Sequence, residues 1–255
     1  MSDAVLFDAS ADGIAVITLN RPETRNCLAR DVREGLYAAW DRFERDPALR
    51  VAILTGAGEK AFCAGGDLKE MVETGLGVPP RDMFPVPYDT VELSKPTIAA
   101  VNGVALAGGW MIAQACDLCV ASTEARFAVT EVKVGRSSPW AAPLIHMIPQ
   151  RIMMEILLTG KPVTARRAYE IGLVNRLAEP GDLMEAALAL AREILDGAPL
   201  SVRAARETVM LATEMGRSAA LRAARHASEY CYNSEDAREG PRAFAEKRPP
   251  QWKGR

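Results

Sequence analysis

The sequence predicts an α/β body followed by a helical C-terminal region. Short apolar strands alternate with amphipathic helical stretches up to about Gln150, the pattern of a sheet covered by helices. Beyond Gln150 nearly every segment carries helical periodicity, punctuated by Gly160, Gly172 and Gly197-Ala198-Pro199. With 255 residues, 49% of them hydrophobic and 25% charged, the chain is long enough and apolar enough for one large core.

Val5–Phe7 and Ile14–Leu19 read as short strands around an Asp12-Gly13 turn, hence a hairpin. Asn20-Arg21-Pro22 interrupts that pattern. From Ala29 to Arg45, Val32, Leu36, Ala39, Trp40 and Phe43 recur at helical spacing, and Pro47 closes the helix. Val51–Thr55 reads as a buried strand, and Phe62–Gly66 as a short segment ending in two glycines. Thr74–Tyr88, with Pro79, Pro80, Pro85 and Pro87, is expected to be an irregular loop of the kind that covers active sites. Thr97–Val101, Leu118–Ala121 and Arg126–Ala128 are further strands, with a helix from about Gly109 to Ala115. Helices are then expected at Ile152–Leu158, Ala165–Tyr169, Leu183–Asp196, Ser201–Glu214 and Ser218–Asn233. The body is assigned to residues 1–195 and the helical region to 196–255. No internal repeat is visible in the letters.

Composition narrows the function. A formal charge of -2 and a pI near 5.9 argue against a nucleic-acid-binding surface. No run of about 18 apolar residues is present, so no transmembrane helix is expected. The N-terminal MSDAVLFDAS lacks the basic-then-apolar signature of a secretory leader, and a cytoplasmic location is the expectation. Cys116 and Cys119 form a lone CxxC at the end of an apolar helix entering a strand, where buried structural thiols are expected. No metal-ligand cluster or phosphate-binding P-loop is seen, so neither a metal nor a redox cofactor is invoked.

The chemistry gathers at two glycine-bearing turns. One is Ala61-Phe62-Cys63-Ala64-Gly65-Gly66-Asp67-Leu68. The other runs from Val101-Asn102-Gly103 to Gly108-Gly109 and opens a helix. Glycine lets the backbone approach a ligand, a helix N-terminus carries free N–H groups, and two such N–H groups at one point hold a developing oxyanion. Other motifs flank these turns: Asn20-Arg21-Pro22 with Arg25-Asn26-Cys27-Leu28, then Lys95-Pro96-Thr97 running on to Asn102-Gly103. Further on come Cys116-Asp117, Leu158-Thr159-Gly160 and the run from Ala168 to Gly172-Leu173-Val174-Asn175. The last are Ser234-Glu235-Asp236 with Glu239-Gly240, Ala243-Phe244 and Glu246-Lys247-Arg248. In this order, over nearly the whole chain, they resemble the crotonase superfamily, the enoyl-CoA hydratase/isomerase family.

The resemblance implies a ββα spiral core with a helical C-terminal region, and homo-oligomers that are trimers or dimers of trimers. It also implies an acyl-CoA thioester substrate, with no cofactor beyond the coenzyme A that the substrate carries. It assigns the oxyanion hole to the backbone N–H groups of Gly66 and Gly108. The adenine is assigned to the backbone around Thr24, Arg25, Cys27 and Ala64, with Lys69, Phe244 and Lys247 as further CoA contacts.

Two departures from the family pattern bear on the reaction. Hydratases of the family use two glutamates around the catalytic water. The second is matched by Glu131, but the first falls on Met111, which cannot transfer a proton. Glu131 lies among apolar residues, so burial is expected to raise its pKa toward the range useful near neutral pH. The family's G-x-x-P-G-x-G-G stretch is here Gly135 to Pro143 with Trp140 inside it. Trp140 either enters the acyl pocket, shortening it or stacking on an unsaturated acyl group, or points away as a packing residue. His146, within Leu144–Ile148, is expected to be a core or interface histidine. One carboxylate suffices for double-bond isomerisation of an enoyl-CoA, the favoured reaction. The alternatives are one-glutamate hydration of a 2-enoyl-CoA, or CoA-ester binding without turnover, with Glu131 paired to Lys133 or Arg136. The same oxyanion hole also serves decarboxylation or thioester hydrolysis, and fold alone does not choose among these.

Overall fold

The computed structural model describes residues 3–75 and 77–255. The chain begins with β1 (Val5–Ala9), β2 (Ile14–Leu19), α1 (Arg30–Arg45), β3 (Val51–Gly56), β4 (Ala61–Cys63) and α2 (Leu68–Thr74). It continues through β5 (Thr97–Val101), β6 (Val104–Leu106), α3 (Gly108–Gln114), β7 (Leu118–Ser122) and β8 (Arg126–Ala128). Then come α4 (Gln150–Thr159), β9 (Val163–Thr164), α5 (Ala165–Glu170), β10 (Arg176–Ala178) and α6 (Leu183–Leu195). The last helices are α7 (Pro199–Glu214), α8 (Arg217–Ala227), α9 (Glu229–Tyr232) and α10 (Asp236–Ala245).

Two sheets organise the body. The larger runs β1-β2-β3-β5-β7-β10, antiparallel in the β1–β2 hairpin and parallel thereafter. The smaller runs β4-β6-β8-β9, with β4, β6 and β8 parallel and β9 antiparallel. Three times the chain lays a strand in the large sheet, then a three-residue strand in the small one, then a turn. β3–β4 leads through Gly65-Gly66 to α2, β5–β6 through Ala107-Gly108 to α3, and β7–β8 to a 3-10 turn at Glu131–Val134. This is the ββα spiral, and it is a repeat of topology that the letters conceal. Parallel pairing sets the ends of β4, β6 and β8 side by side, so all three turns open on one edge.

The core follows the period of two along a strand. One face of the large sheet, with Ala52, Leu54, Ala99, Val101 and Ala121, packs with Val32, Leu36, Trp40 and Phe43 of α1. The other face, with Ile53, Ile98, Ala100 and Val120, packs on Leu183, Ala187, Leu190 and Ala191 of α6. β3 is buried along its whole length, which is why its sequence is apolar from Val51 to Leu54 and why the buried Thr55 hydroxyl bonds to the Ala100 carbonyl.

Several motif residues turn out to be structural. The Lys95 ammonium is buried and donates 2.7 Å bonds to the carbonyls of Phe43 and Asp46 at the end of α1, where positive charge is favoured by the helix dipole. Buried Asn26, at φ 54, accepts from Arg21 N–H and donates to the carbonyls of Ala57 and Ala61. Asp117 docks the helical region. Its Oδ2 accepts from the Thr97 N–H and hydroxyl, and its Oδ1 accepts from Arg206 Nε at 2.8 Å and from the Tyr88 hydroxyl. Both partners of the Asp117–Arg206 pair are largely buried. Asp117→Ala strands the guanidinium, and a loss of about 3–5 kcal/mol is expected, read by chemical denaturation.

The closing motif is a clasp. Asp236 accepts from the N–H groups of Lys253 and Gly254, while Glu239 accepts from Arg242, Arg248 and the Gln251 N–H. Trp252 Nε1 then donates to the Asp196 carbonyl at 2.8 Å, returning the C-terminus to the end of α6. The Arg248 guanidinium leads the groups that hold the Glu239 carboxyl down to about 2. A depressed carboxyl stabilises the fold fully above its unfolded pKa of about 4.3. That contribution is lost as pH falls toward about 2, so tail-directed proteolysis is expected to rise across this window and not above it.

One expected helix breaks in two, and three other stretches are refined. The sequence pattern assigns no element to α2, although Asp67 followed by Glu70 is the signature of an N-terminal cap. The long helix expected at Ser218–Asn233 breaks into α8 and α9, where the Ser228 hydroxyl bonds back to the Ala224 carbonyl. Of the two alternatives for His146, core or interface, its exposure beside exposed Ile145 and Met147 removes the core one. Thr74–Tyr88 is irregular as expected, apart from a 3-10 turn at Arg81–Met83, with Leu76 outside the described residues. The five cysteines are unpaired, and burial pushes the Cys63 and Cys119 thiols up to about 12, as structural thiols require. Among the described residues no helix is long and apolar enough to cross a membrane.

Candidate active site

The three turns at the ends of β4, β6 and β8 are joined to one another. The Leu28 N–H donates to the Gly65 carbonyl and the Ala64 N–H to the Arg25 carbonyl, binding the Thr24–Leu28 loop to the first turn. The Ala107 N–H donates to the Ala128 carbonyl at 2.8 Å, binding the second turn to the strand that leads to Glu131. The first and second turns touch: a Cβ on Gly65 would lie 3.4 Å from Gly108 N, and one on Gly108 would lie 3.6 Å from Gly66 N.

Glycine is required by this contact. Gly65 has φ +96, and a Cβ on Gly109 would collide with the Cys63 carbonyl oxygen. Ala107, the residue before α3, is held at φ 51 and ψ -121, a conformation that L-residues rarely adopt. The turn thereby brings the start of α3 against the Gly65-Gly66 turn. No acceptor among the described residues takes the N–H of Gly66 or of Gly108. Two adjacent free amides, one at a helix N-terminus, can hold an oxygen on which negative charge develops.

Glu131 opens the third turn. Its Oε1 accepts a 2.8 Å bond from Trp140 Nε1, and its Oε2 is buried without a partner among the described residues. Burial is the largest influence on this carboxyl and raises its pKa, opposed by bonds from the backbone and from Trp140. Trp140 therefore points toward Glu131 rather than away. Its own carbonyl accepts from Gln114 Nε2 at 2.7 Å. Met111 is buried in the first turns of α3, one helical step before Gln114, and offers no group that carries a proton. Trp110 packs edge-on against Phe127 of β8 with ring centroids 5.7 Å apart, fixing α3 against that strand.

The remaining sequence candidates divide in two. Thr24, Arg25, Cys27 and Ala64 adjoin the first turn, and Cys27 Sγ lies 3.7 Å from Asp67 Oδ2. Lys69 extends into solvent from α2. Phe244, 85% exposed, and Lys247 lie at the end of α10, whose contacts run to α9 and to the C-terminal tail. Sequence reasoning missed three residues at the site. Asp67 caps α2 through the Lys69 and Glu70 N–H groups. The Met71 methyl sits over Gly66, in the space that a Cβ would take. Gln114 was discoverable as the polar residue in an otherwise apolar helix.

The family model described as enoyl-CoA hydratase/isomerase matches residues 9–255. The chain is 40% identical over 252 residues to (E)-benzylidenesuccinyl-CoA hydratase of Thauera aromatica, covering 94% of this chain and 96% of that one. It is 40% identical over 251 residues to carnitinyl-CoA dehydratase of Salmonella arizonae, covering 94% and 95%. The crystal structure of an enoyl-CoA hydratase from Mycobacterium tuberculosis superposes with a TM-score of 0.92 at 39% identity, over 100% of both chains. An enoyl-CoA hydratase from Bacillus anthracis superposes with a TM-score of 0.91 at 32% identity, over 99% and 100%. On sequence and on fold alike, the chain belongs to the enoyl-CoA hydratase/isomerase family.

Proposed function

We propose that the protein moves the double bond of an enoyl-CoA thioester through a dienolate, with Glu131 as its single acid–base group. The carrying observation is the Glu131 carboxyl: one oxygen held by Trp140, the other buried and free. The Gly66 and Gly108 N–H groups receive the thioester oxygen. Oε2 takes a proton from the carbon between the carbonyl and the double bond. The released electron pair spreads onto the thioester oxygen, where the two amides hold it. The same carboxylic acid then returns the proton to the far carbon, so nothing is gained or lost overall.

Met111 favours this outcome, because an apolar side chain there leaves no second group to hold a nucleophilic water. Water addition to a 2-enoyl-CoA is the second reading. The names of the Thauera and Salmonella relatives support it, as does buried Gln114 Oε1, which has no partner among the described residues and lies one turn beyond Met111. Incubation with 2-enoyl- and 3-enoyl-CoA separates the readings. Double-bond migration gives a product of unchanged mass, and hydration adds one water. Conversion of neither substrate would overturn both.

Thr24, Arg25, Cys27 and Ala64 are assigned to the adenine end of the CoA, with Lys69 near its phosphates. Phe244 and Lys247 are assigned to CoA contacts made once residues 196–255 close over a site in the assembly. Exposed Val132, Val134, Ile145, Met147, Met154 and Leu158 lie on adjoining elements, an apolar face that supports a trimer or dimer of trimers.

A further inference from the structure

We propose that Trp140, anchored by Gln114, is a positioning residue that holds Glu131 Oε1 and leaves Oε2 as the only oxygen that exchanges a proton with substrate. The inference rests on Glu131 being the acid–base group. Three observations carry it. The indole N–H donates to Oε1 at 2.8 Å. The Trp140 backbone is fixed from the opposite side by Gln114 Nε2 at 2.7 Å. Oε2 is buried and receives no hydrogen bond from the described residues.

A lone carboxylate that serves two carbons in turn needs a fixed plane, because rotation about its terminal bond would swap the two oxygens and misplace the proton. A donor on one oxygen fixes that plane. The indole also favours the ionised form, offsetting part of the effect of burial. The glycines usual in this stretch carry no side chain that could do either. Of the four tryptophans, Trp252 donates to a backbone carbonyl, while Trp40 and Trp110 have no partner for their N–H among the described residues.

Charged groups on the same segment as Glu131 are Lys133 and Arg136, and α4, which packs against that segment, carries Arg151 and Glu155. None of these contributes to the shift of its pKa, which comes from burial, backbone bonds and Trp140.

The test is an NMR titration of the indole-labelled protein together with pH profiles of turnover for wild type, Trp140→Phe and Glu131→Gln. One indole N–H resonance is expected to titrate with the midpoint of the acid limb of kcat/KM and to stop titrating in Glu131→Gln. Trp140→Phe keeps an aromatic ring and removes the donor. It is expected to move the acid limb up by about one pH unit and to lower kcat about tenfold, with KM changed less than about threefold. An indole that does not titrate, or a Trp140→Phe acid limb that does not move, would overturn the hold. The indole titration decides the matter if Trp140→Phe does not fold. Full turnover by Glu131→Gln would instead overturn the base assignment, a failure distinct from loss of the hold.

Discussion

Glu131→Gln is expected to lower turnover of an enoyl-CoA by at least about 10³-fold, some 4 kcal/mol of transition-state stabilisation. The amide keeps the volume and its oxygen still accepts from Trp140, so the pocket is preserved. What disappears is the carboxyl to which proton transfer is assigned. Thioester affinity is expected to change less than about threefold, because the Gly66 and Gly108 amides remain free. The loss therefore falls on kcat rather than KM. Wild-type kcat/KM is expected to rise with pH as Glu131 ionises. Burial raises this carboxyl, so the midpoint lies above the ordinary glutamate value of about 4.3. A midpoint at or below that value would contradict the buried environment.

Met111→Glu is expected to raise hydration of a 2-enoyl-CoA by about 10- to 100-fold. The position is in the first turns of α3, where the helix dipole favours an anion, and a carboxylate there would give a water a second acceptor opposite Glu131. Two effects keep the gain below the upper end of general acid–base catalysis. The site is apolar, and a second carboxylate near Glu131 raises the pKa of one of the pair. The optimum pH for hydration is accordingly expected to move upward. No gain in water addition would show that Met111 does not stand where a hydratase places its first glutamate.

Much of this site is legible in the amino-acid sequence. Gly66, Gly108 and Glu131 are singled out by the resemblance to the family, and the ββα topology brings the turns that carry them to one edge. The helices with strong periodicity, such as α1 and α6, are also readable. Of the small-sheet strands, β8 is readable at Arg126–Ala128, whereas β4 and β6, three residues each, are too short for periodicity to register. The threefold ββα repeat stays hidden for the same reason, since its units share geometry and not letters. The orientation of Trp140 is undecidable from sequence, because it depends on a bond to Glu131 nine residues away and on a second bond to Gln114 on another element. Asp117 and Glu239 show the converse. Both are motif residues that carry the resemblance, and each is structural, docking α7 or clasping the C-terminus.

The most direct test of a single-glutamate enolate mechanism is proton exchange in heavy water. Saturated, 2-enoyl- and 3-enoyl-CoA thioesters are followed by NMR with wild type and Glu131→Gln. Deuterium entering the α-carbon together with double-bond migration, both lost in the variant, is the predicted result. Absence of exchange on every thioester, or exchange that survives in Glu131→Gln, would contradict Glu131 as the group that moves the proton.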